Sequence, residues 1–498
     1  MHLAASMSEI PEGVIMPALE RKLPRPSATL MITRDGKDGV EVLLGHRSES
    51  MPVFPGYWAF PGGGVSRVDI DASNSLGLSV AECAIFRELV EELGLAPSEN
   101  RLVAVDDDFR AMVAKDKANW FPLALDGEIP CSPKGVRIIS IRTTPPFGPV
   151  RFENTFLHIH AIEHDEFSLS RQTEFVDARW IRPRDLVAAW KNNILKVAPP
   201  VVTLLMEVDR CLLRMDENME RVAIDLEERK PRSSSILFAH GVEVIPVKTT
   251  TLPPADHTNS YLVGDPEAEF ILVDPAFRHR EGMEVVADAV ERHKGVLKAM
   301  LFTHSHSDHL PDFGLLREAF DVPIWGSAFT AKSIDCERIL EDGEELILGS
   351  QTWKVIMTHG HCPGHVCLLS EAGLVAGDMV AGIGTILIPP NSGDMSLYIS
   401  ELEGLADSFP NLMFPSHGPV ITLPENMLKH YIGHRKMRHK RVLDAVETSP
   451  KLEEIARIAY ENTPDAHPGL AIDQTLSHLL SHEKDGNVIR SEDGWARA

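Results

Sequence analysis

Histidine and aspartate side chains are concentrated in one short run of the sequence. The segment Thr-His-Ser-His-Ser-Asp-His places His304, His306, Asp308 and His309 within six residues, directly after an apolar stretch. A loop that follows a strand can direct several side chains to one point, and imidazole and carboxylate groups suit zinc and related divalent ions. A polar surface loop is the alternative, but four ligand types in six residues favour a metal site.

Three later apolar stretches also run into ligand residues. KVIMTHG leads into a His-Gly-His string, GLVAGD ends at Asp378, and NLMFPSHG reaches His417. A divalent ion held by such side chains lowers the pKa of a bound water and polarises a carbonyl or phosphoryl oxygen, so the set predicts hydrolysis by a metal-bound hydroxide. Asp308 is the predicted catalytic residue, because it could orient that hydroxide as well as bind metal. A structural zinc site would usually have four closed ligands and favour cysteine.

The order of these motifs resembles the metallo-β-lactamase superfamily, over about 241–424. The resemblance implies a two-layer β sandwich flanked by helices, two Zn²⁺ ions at one edge, and a structural role for Asp274. It also implies ligands for each metal: His304, His306 and one later histidine for the first, Asp308, His309 and His417 for the second, and Asp378 between the two.

The string His-Gly-His-Cys-Pro-Gly-His offers three candidates for the remaining ligand of the first metal: His359, His361 and His365. The superfamily usually has Thr-Pro-Gly-His here. Aligning Thr358 with that threonine makes His361 the ligand, whereas choosing His365 depends on the local Pro-Gly-His letters alone. We therefore predict His361 as the ligand and His365 as a group behind the metal or beside the substrate.

A helix with clear start and stop signals is predicted in the N-terminal part of the chain. The segment SVAECAIFRELVEELGL has helical periodicity, with Ser79 and Glu82 placed as a capping box and Gly94 as the C-terminal stop. Its acidic residues carry the second candidate site.

Glu88, Glu91 and Glu92 lie at positions i, i+3 and i+4, so they share one face of this helix, and Arg87 can pair with Glu91. Carboxylate oxygens at this density suit Mg²⁺ or Mn²⁺. The alternative to a metal site is an acidic helix face that is simply exposed to solvent.

The helix fits the second half of the Nudix box, and Ala-Phe-Pro-Gly-Gly-Gly at 59–64 resembles its glycine-rich entry, so the resemblance covers about 26–210. It implies hydrolysis of a nucleoside diphosphate linked to another moiety, such as coenzyme A. The implied roles are metal ligands for Glu88, Glu91 and Glu92, catalysis for Glu88, and substrate contacts for Arg87, Gly62 and Gly63.

The sequence departs from the box upstream of this helix. The usual spacing would place a glycine at Ser73 and a glutamate at Ser79, and the true glycines lie beyond an inserted segment. Such insertions occur in Nudix proteins resembling coenzyme A diphosphatases. Glu82 either replaces the missing glutamate or only caps the helix, and Glu174 is a candidate extra base.

Composition limits the remaining possibilities. There are 49 Lys and Arg against 73 Asp and Glu, a net charge of −24, which disfavours non-specific adhesion to nucleic acid or anionic membrane. The six cysteines have no zinc-finger or disulfide-framework spacing, which favours a reducing compartment. With no signal peptide and no apolar run of membrane-spanning length, we expect a soluble, cytoplasmic protein without membrane partners.

The sequence predicts an α+β multidomain chain. The expected parts are a Nudix-like α/β/α sandwich at 26–212, a charged, then Pro/Ser-rich linker at 213–237 whose start could be helical, a metallo-β-lactamase αββα sandwich at 238–424, and a winged-helix-like module of three helices and a hairpin at 425–498.

The C-terminal helices bear on the substrate. The string YIGHRKMR resembles the β-lactamase-like endoribonuclease group, which implies single-stranded RNA. The basic patch from His430 to Arg441 could contact phosphates, although such residues on a helix are more often simply solvated. The acidic net charge of the chain and the Nudix-like domain favour a small-molecule substrate instead, such as a coenzyme A or nucleotide derivative. The activity would then be that of a thioesterase of the glyoxalase II kind. A third possibility is a Nudix domain that only binds its ligand.

Overall fold

The structure is a computed structural model that describes residues 23–51, 53–99, 101–148, 150–164, 166–169, 174–229 and 236–498. The chain divides into two compact units, with the boundary between His240 and Gly241. Each unit is described separately below.

The first unit combines strands and helices in an irregular alternation. In chain order its elements are β1 (Arg25–Gly36), β2 (Gly39–Arg47), β3 (Trp58–Ala59), β4 (Gly62–Gly64), α1 (Arg67–Leu76), α2 (Val80–Leu93), β5 (Leu95–Ser98), β6 (Arg101–Ala104), α3 (Asp107–Lys115), α4 (Trp120–Leu125), β7 (Val136–Thr143), β8 (Phe152–His160), β9 (Glu163–His164), β10 (Phe175–Ile181), α5 (Pro183–Lys191), α6 (Pro199–Arg214), α7 (Met219–Glu227) and β11 (Ile236–Ala239).

The main sheet of this unit has the strand order β10-β2-β1-β8-β7, with β3 paired to β2 and β4 paired to β1. Strands β1 and β2 form a hairpin whose turn uses Gly39 at φ 122°, a backbone region that favours glycine. Helix α2 packs on one face of the sheet and α6 on the other, so each face has its own apolar core. Together these layers form the predicted sandwich.

The segment 213–237, predicted to be a linker, instead contains helix α7. Its charged residues lie on the outer side, while Met219, Val222, Ala223 and Leu226 are buried in the same apolar core as α6. The spacing of three and four residues between these apolar positions is that of a helix face, and it outweighs the high charge of the segment. The segment therefore belongs to the first unit.

The second unit begins with a long run of strands and ends in helices. In chain order its elements are β12 (Val242–Lys248), β13 (His257–Gly264), β14 (Glu269–Val273), α8 (Arg280–Glu291), β15 (Val296–Leu301), α9 (Phe313–Ala319), β16 (Ile324–Gly326), β17 (Arg338–Ile339), β18 (Glu345–Leu348), β19 (Gln351–Thr358), β20 (His365–Ser370), β21 (Gly373–Gly377), α10 (Met395–Asp407), β22 (Met413–Pro415), α11 (Pro424–Ala445), α12 (Leu452–Ala459), α13 (Pro468–Lys484), β23 (Val488–Ser491) and β24 (Gly494–Arg497).

Two sheets form the sandwich of this unit. The first has the order β12-β13-β14-β15-β16-β17 and is covered by α8 and α9, and the second has the order β18-β19-β20-β21-β22 and is covered by α10 and α11. The sheets approach closely at Gly264, where φ is 123° and a Cβ would lie 2.8 Å from the Cβ of Leu348. This αββα arrangement is the one expected from the sequence.

The three C-terminal helices and the hairpin β23-β24 occur where the sequence predicted them. They are not a separate unit, however, because Leu428 and Tyr431 of α11 lie in the apolar core of the second sheet. A smaller core around Val442, Leu479 and Trp495 joins the helices to the hairpin. The winged-helix likeness itself stays a prediction.

Among the residues that the structure describes, no helix has both the length and the apolar content needed to cross a bilayer.

Candidate metal centres

The ends of four strands meet at one edge of the sandwich. The loop after β15 carries His304, and the loops after β19, β21 and β22 carry His361, Asp378 and His417. Side chains from two sheets are gathered in this way because the strands end at the same edge.

Seven predicted ligand residues lie close together at this edge, and each is at most 4% exposed. Their ligand atoms fall into groups whose members all lie within 4.8 Å of one another: His304, His306, His361 and Cys362; His304, His309 and Asp378; and Asp308, His309 and His417. The first and third groups match the two predicted sets, and Asp378 shares a group with a member of each.

Cys362 was not singled out in the sequence analysis. Its thiol belongs to the first group, with His304, His306 and His361. The available signal was its position, directly after a predicted ligand, because cysteine is itself a common zinc ligand.

Hydrogen bonds behind the histidines determine which ring nitrogen faces the cluster. His309 Nδ1 lies 2.9 Å from Asp274 Oδ2, and Thr303 Oγ1 donates to the same carboxylate while lying 3.0 Å from His304 Nδ1. His417 Nδ1 is 3.1 Å from the carbonyl oxygen of His257. Carboxylate and carbonyl oxygens only accept hydrogen bonds. They therefore hold a proton on Nδ1 of His309 and of His417, and leave Nε2 of both residues as a metal donor. Asp274 therefore lies behind the ligand histidines, where the resemblance to the metallo-β-lactamase superfamily implies a structural aspartate.

Several atoms in the cluster are suited to a cation. Among the described residues, Nε2 of His304 and His309 and both carboxylate oxygens of Asp308 and Asp378 are buried without a hydrogen-bond partner. A buried polar atom left without a partner is costly, and a buried carboxylate is normally paired or bound to metal. The residues present therefore fit a metal centre.

His361 and His365 occupy different positions. The Nε2 atom of His361 lies 3.0 Å from His306 Nδ1 and 3.9 Å from Asp378 Oδ2, inside the cluster. His365 uses both ring nitrogens elsewhere: Nε2 accepts from the backbone N–H of Asp378 at 3.0 Å, and Nδ1 lies 2.7 Å from Thr358 Oγ1. His365 thus supports the loop that carries Asp378, whereas the side chain of His359 is exposed.

Opposite charges keep the carboxylates ionised. Burial alone would raise the pKa of Asp308 and Asp378, but the neighbouring His309 and His417 outweigh it and hold both pKa values below the ordinary range. His417 Nε2 lies 3.4 Å from Asp308 Oδ2 and 3.5 Å from Asp378 Oδ1. Two ionised, buried carboxylates are suited to divalent cations.

A cavity of about 530 Å³ lies between the loops and the C-terminal helices, lined by Pro253, Ile383, Tyr431, His434 and Gln474 among others. A smaller cavity shares Pro253 and Ile383 with it and reaches His417. Small-molecule sites commonly have volumes of roughly 300–1,000 Å³.

The basic residues of α11 are largely engaged within the protein. Arg435 and Arg438 are at most 3% exposed and donate to backbone oxygens, while Lys429, Lys436 and Lys440 each pair with an acidic side chain. This helix therefore does not present an unpaired basic stripe to solvent.

In the first unit, the helix that carries the glutamates begins and ends as predicted. Ser79 Oγ accepts from the N–H of Glu82, the Glu82 carboxylate accepts from the N–H of Ser79, and Gly94 ends α2 at φ 67°. Glu82 is thus occupied as a cap at the helix start.

Arg87 has a partner that the sequence analysis missed. Asp69, in the inserted helix α1, is fully buried and accepts from Arg87 Nε at 2.8 Å and Nη2 at 3.0 Å. Arg87 Nη1 donates to Glu88 at 2.8 Å and to Glu91 at 2.9 Å. The arginine therefore links the inserted helix to the acidic face, and the predicted pair with Glu91 is present.

The glycine-rich strand β4 lies directly against this face. The N–H of Gly62 donates to Glu92 at 3.1 Å, and a Cβ on Gly63 would lie 2.3 Å from Glu88 Oε1. A side chain at position 63 would therefore require the Glu88 carboxylate to move.

Glu174 completes the acidic cluster and is paired with Arg47 at 2.7 Å. Burial raises the pKa of Glu88 to about 7, with Arg87 opposing the shift and Glu91 adding to it. Burial, Glu174 and Glu88 raise the pKa of Glu92 well above its ordinary value. Carboxylates that repel one another in this way are suited to a shared divalent cation.

Comparison with known proteins identifies a family for each of the two parts of the chain. Residues 253–417 match the metallo-beta-lactamase superfamily and residues 23–130 match the NUDIX domain. The chain belongs to the metallo-β-lactamase superfamily and carries an N-terminal Nudix domain. Both are metal-dependent hydrolase families.

Two curated relatives match about half of the chain. A hydroxyacylglutathione hydrolase of Hamiltonella defensa is 31% identical over 247 residues, which are 48% of this chain and 85% of the relative. A beta-lactamase-like protein 2 homolog of Drosophila melanogaster is 26% identical over 249 residues, covering 46% and 84%.

Solved structures similar to the chain include one for each domain. A beta-lactamase domain protein from Burkholderia ambifaria has a TM-score of 0.45 at 22% identity, covering 54% of this chain and 97% of that one. A NUDIX hydrolase from Alicyclobacillus acidocaldarius has a TM-score of 0.36 at 23% identity, covering 41% and 97%.

Proposed function

We propose that the second unit is a hydrolase that uses two Zn²⁺ ions. The assigned ligands are His304, His306 and His361 for the first ion, Asp308, His309 and His417 for the second, and Asp378 between them. The buried carboxylate and imidazole atoms without hydrogen-bond partners support this assignment.

The protein's own groups would prepare the reaction. Bound cations of this type polarise the bond to be cleaved and make a water molecule acidic near neutral pH. Asp308 is the proposed catalytic residue, since its carboxylate is ionised, buried and 3.4 Å from His417 Nε2. It can accept a hydrogen bond from the attacking water and so orient it.

The proposed substrate is a small-molecule ester or thioester, such as an acyl-coenzyme A. The cavity of about 530 Å³ beside the cluster carries this choice, because it suits a small ligand and adjoins the cavity that reaches His417. The name of the Hamiltonella relative, a hydroxyacylglutathione hydrolase, agrees with a thioester. The burial of Arg435 and Arg438, and the pairing of the exposed lysines of α11 with acidic side chains, weigh against single-stranded RNA as the substrate.

The test uses zinc-loaded full-length protein with acyl-coenzyme A thioesters, S-acylglutathiones and a single-stranded RNA. Asp308→Asn, which keeps the size of the side chain but removes its charge, is the blank. We expect thioester hydrolysis that falls by about 100-fold or more in this variant. Cleavage of RNA alone would replace the thioesterase proposal with an endoribonuclease.

We propose further that the Nudix domain hydrolyses a nucleoside-diphosphate-linked compound with Mg²⁺ or Mn²⁺. Glu88, Glu91 and Glu92 are the assigned metal ligands, and Glu88 is the proposed catalytic residue. The contacts of Gly62 and Gly63 with this face support a substrate position against β4. Bound metal would neutralise the diphosphate.

A matched pair of variants tests this second activity in the full chain. With Mg²⁺ and coenzyme A, ADP-ribose or dinucleotides, Glu92→Gln should abolish diphosphate hydrolysis, whereas Glu82→Gln should retain it because Glu82 only caps α2. If the wild-type protein binds these compounds without cleaving them, the domain is a binding module.

A further inference from the structure

The segment that supports His361 is a short loop, Ile386–Ile388. His361 Nδ1 lies 3.0 Å from the carbonyl oxygen of Leu387, which can only accept. The proton must therefore sit on Nδ1, and Nε2 keeps the lone pair that faces the cluster. The orientation of His361 thus depends on where this carbonyl is held.

The last long helix of the chain holds one end of this loop. Gln474 of α13 accepts from the N–H of Ile388 at 3.1 Å and donates to its carbonyl oxygen at 3.1 Å. Ser477 donates to the same carbonyl oxygen. Gln474 and Ser477 are each 4% exposed, so both side chains are largely buried where they contact the loop.

Helix α11 holds the other end. Arg435 donates to the carbonyl oxygen of Ile386 and to Thr385 Oγ1, the latter at 2.9 Å. The carbonyl of Leu387 therefore lies between two residues whose backbone atoms are bound by C-terminal helices. A peptide fixed on both sides can keep a single orientation towards His361.

We propose that Gln474 is a positioning residue for His361, and that α13 is in this way part of the first metal site. The inference rests on the proposed function, because it requires His361 to bind metal. Loss of the Gln474 bonds would free the Leu387 peptide to rotate. His361 would then lose the acceptor that fixes its tautomer.

The principal variant is Gln474→Met, which keeps length and helix propensity but removes both hydrogen bonds. We expect the affinity of one of the two zinc ions to fall by about 10- to 100-fold, as for other groups that orient metal ligands. Zinc binding is measured by competition with a chromophoric chelator, without reference to activity. The affinity of the second ion should stay within about 3-fold of the wild type.

Ser481→Ala is the matched control. Ser481 lies on the same helix and accepts from the N–H of Ser396 in α10 at 2.9 Å, so its loss weakens the packing of α13 without touching the loop. This variant should bind both ions as the wild type does. Ser477→Ala, a smaller change at the same carbonyl, should weaken the same single ion, and it serves if Gln474→Met does not fold.

The outcomes separate the two proposals. If the wild-type protein binds no zinc, the proposed function itself fails. If the wild type binds two ions and Gln474→Met and Ser477→Ala do so with unchanged affinities, only the positioning role is refuted. Equal weakening by Ser481→Ala would also refute it, because the effect would then come from general packing of the helix.

Discussion

The buried ion pair between Asp69 and Arg87 gives a prediction whose size can be worked out from the structure. Asp69 is 0% exposed and Arg87 is 2% exposed. Replacing Asp69 with alanine leaves a buried guanidinium without its main partner, which typically costs 3–5 kcal/mol. Arg87 keeps its bonds to Glu88 and Glu91, so we expect the lower end, about 3 kcal/mol.

This loss should appear as a lower melting temperature of the first unit. For a domain of roughly 200 residues, 1 kcal/mol corresponds to about 2–4 °C, so Asp69→Ala should lower Tm by about 6–12 °C. Scanning calorimetry of the full chain gives the transition temperatures. Hydrogen exchange of peptides from α2 identifies the transition that belongs to this unit.

Asp71 provides the matched control on the same helix. It pairs with Arg67 at 3.9 Å, with the two side chains 62% and 92% exposed. Exposed pairs contribute little, so Asp71→Ala should change Tm by less than about 2 °C. Equal shifts for the two variants, or no shift for Asp69→Ala, would show that the inserted helix does not anchor Arg87.

Two other predictions concern the second unit. If Cys362 is a further ligand beside the assigned set, protein loaded with Co²⁺ should show a near-ultraviolet sulfur-to-cobalt absorption that Cys362→Ala removes and Cys367→Ala keeps, since of these two thiols only that of Cys362 is grouped with His304, His306 and His361; a spectrum unchanged by Cys362→Ala would exclude it as a ligand. The free energy of unfolding should fall as the pH drops from about 6.5 to about 4, because burial, with His482 adding, lowers the pKa of His439 from 6.5 to about 4. The unfolded chain then takes up the proton first, and urea unfolding at several pH values should show a smaller loss for His439→Asn than for the wild type.

Local sequence signals predicted the elements that carry both sites. The capping box at Ser79, the glycine at the end of α2 and the glutamates at i, i+3 and i+4 depend only on neighbouring residues. The strands before His304 and His417 were likewise visible as apolar runs. Such features are accessible because their periodicity and capping do not depend on tertiary contacts.

Within the predicted linker, residues 219–227 form a packed helix that the sequence alone did not establish. High charge masked four apolar residues whose helical spacing becomes meaningful only when α6 offers a surface for them. The role of Gln474 was equally hidden, since it acts on Ile388, 86 residues earlier in the chain. A glutamine in a helix is unremarkable until the peptide that it binds is known.

Asp69 is a further residue whose role depends on a contact distant in the sequence, and it bears on the departure of this chain from the Nudix box. The sequence places Ser79 where a glutamate is usual, which left open whether the acidic face was still organised for metal. The inserted helix supplies a buried carboxylate that holds Arg87, and Arg87 in turn donates to Glu88 and Glu91. The insertion therefore provides a structural partner for Arg87, and Arg87 is held against the acidic face although position 79 is a serine.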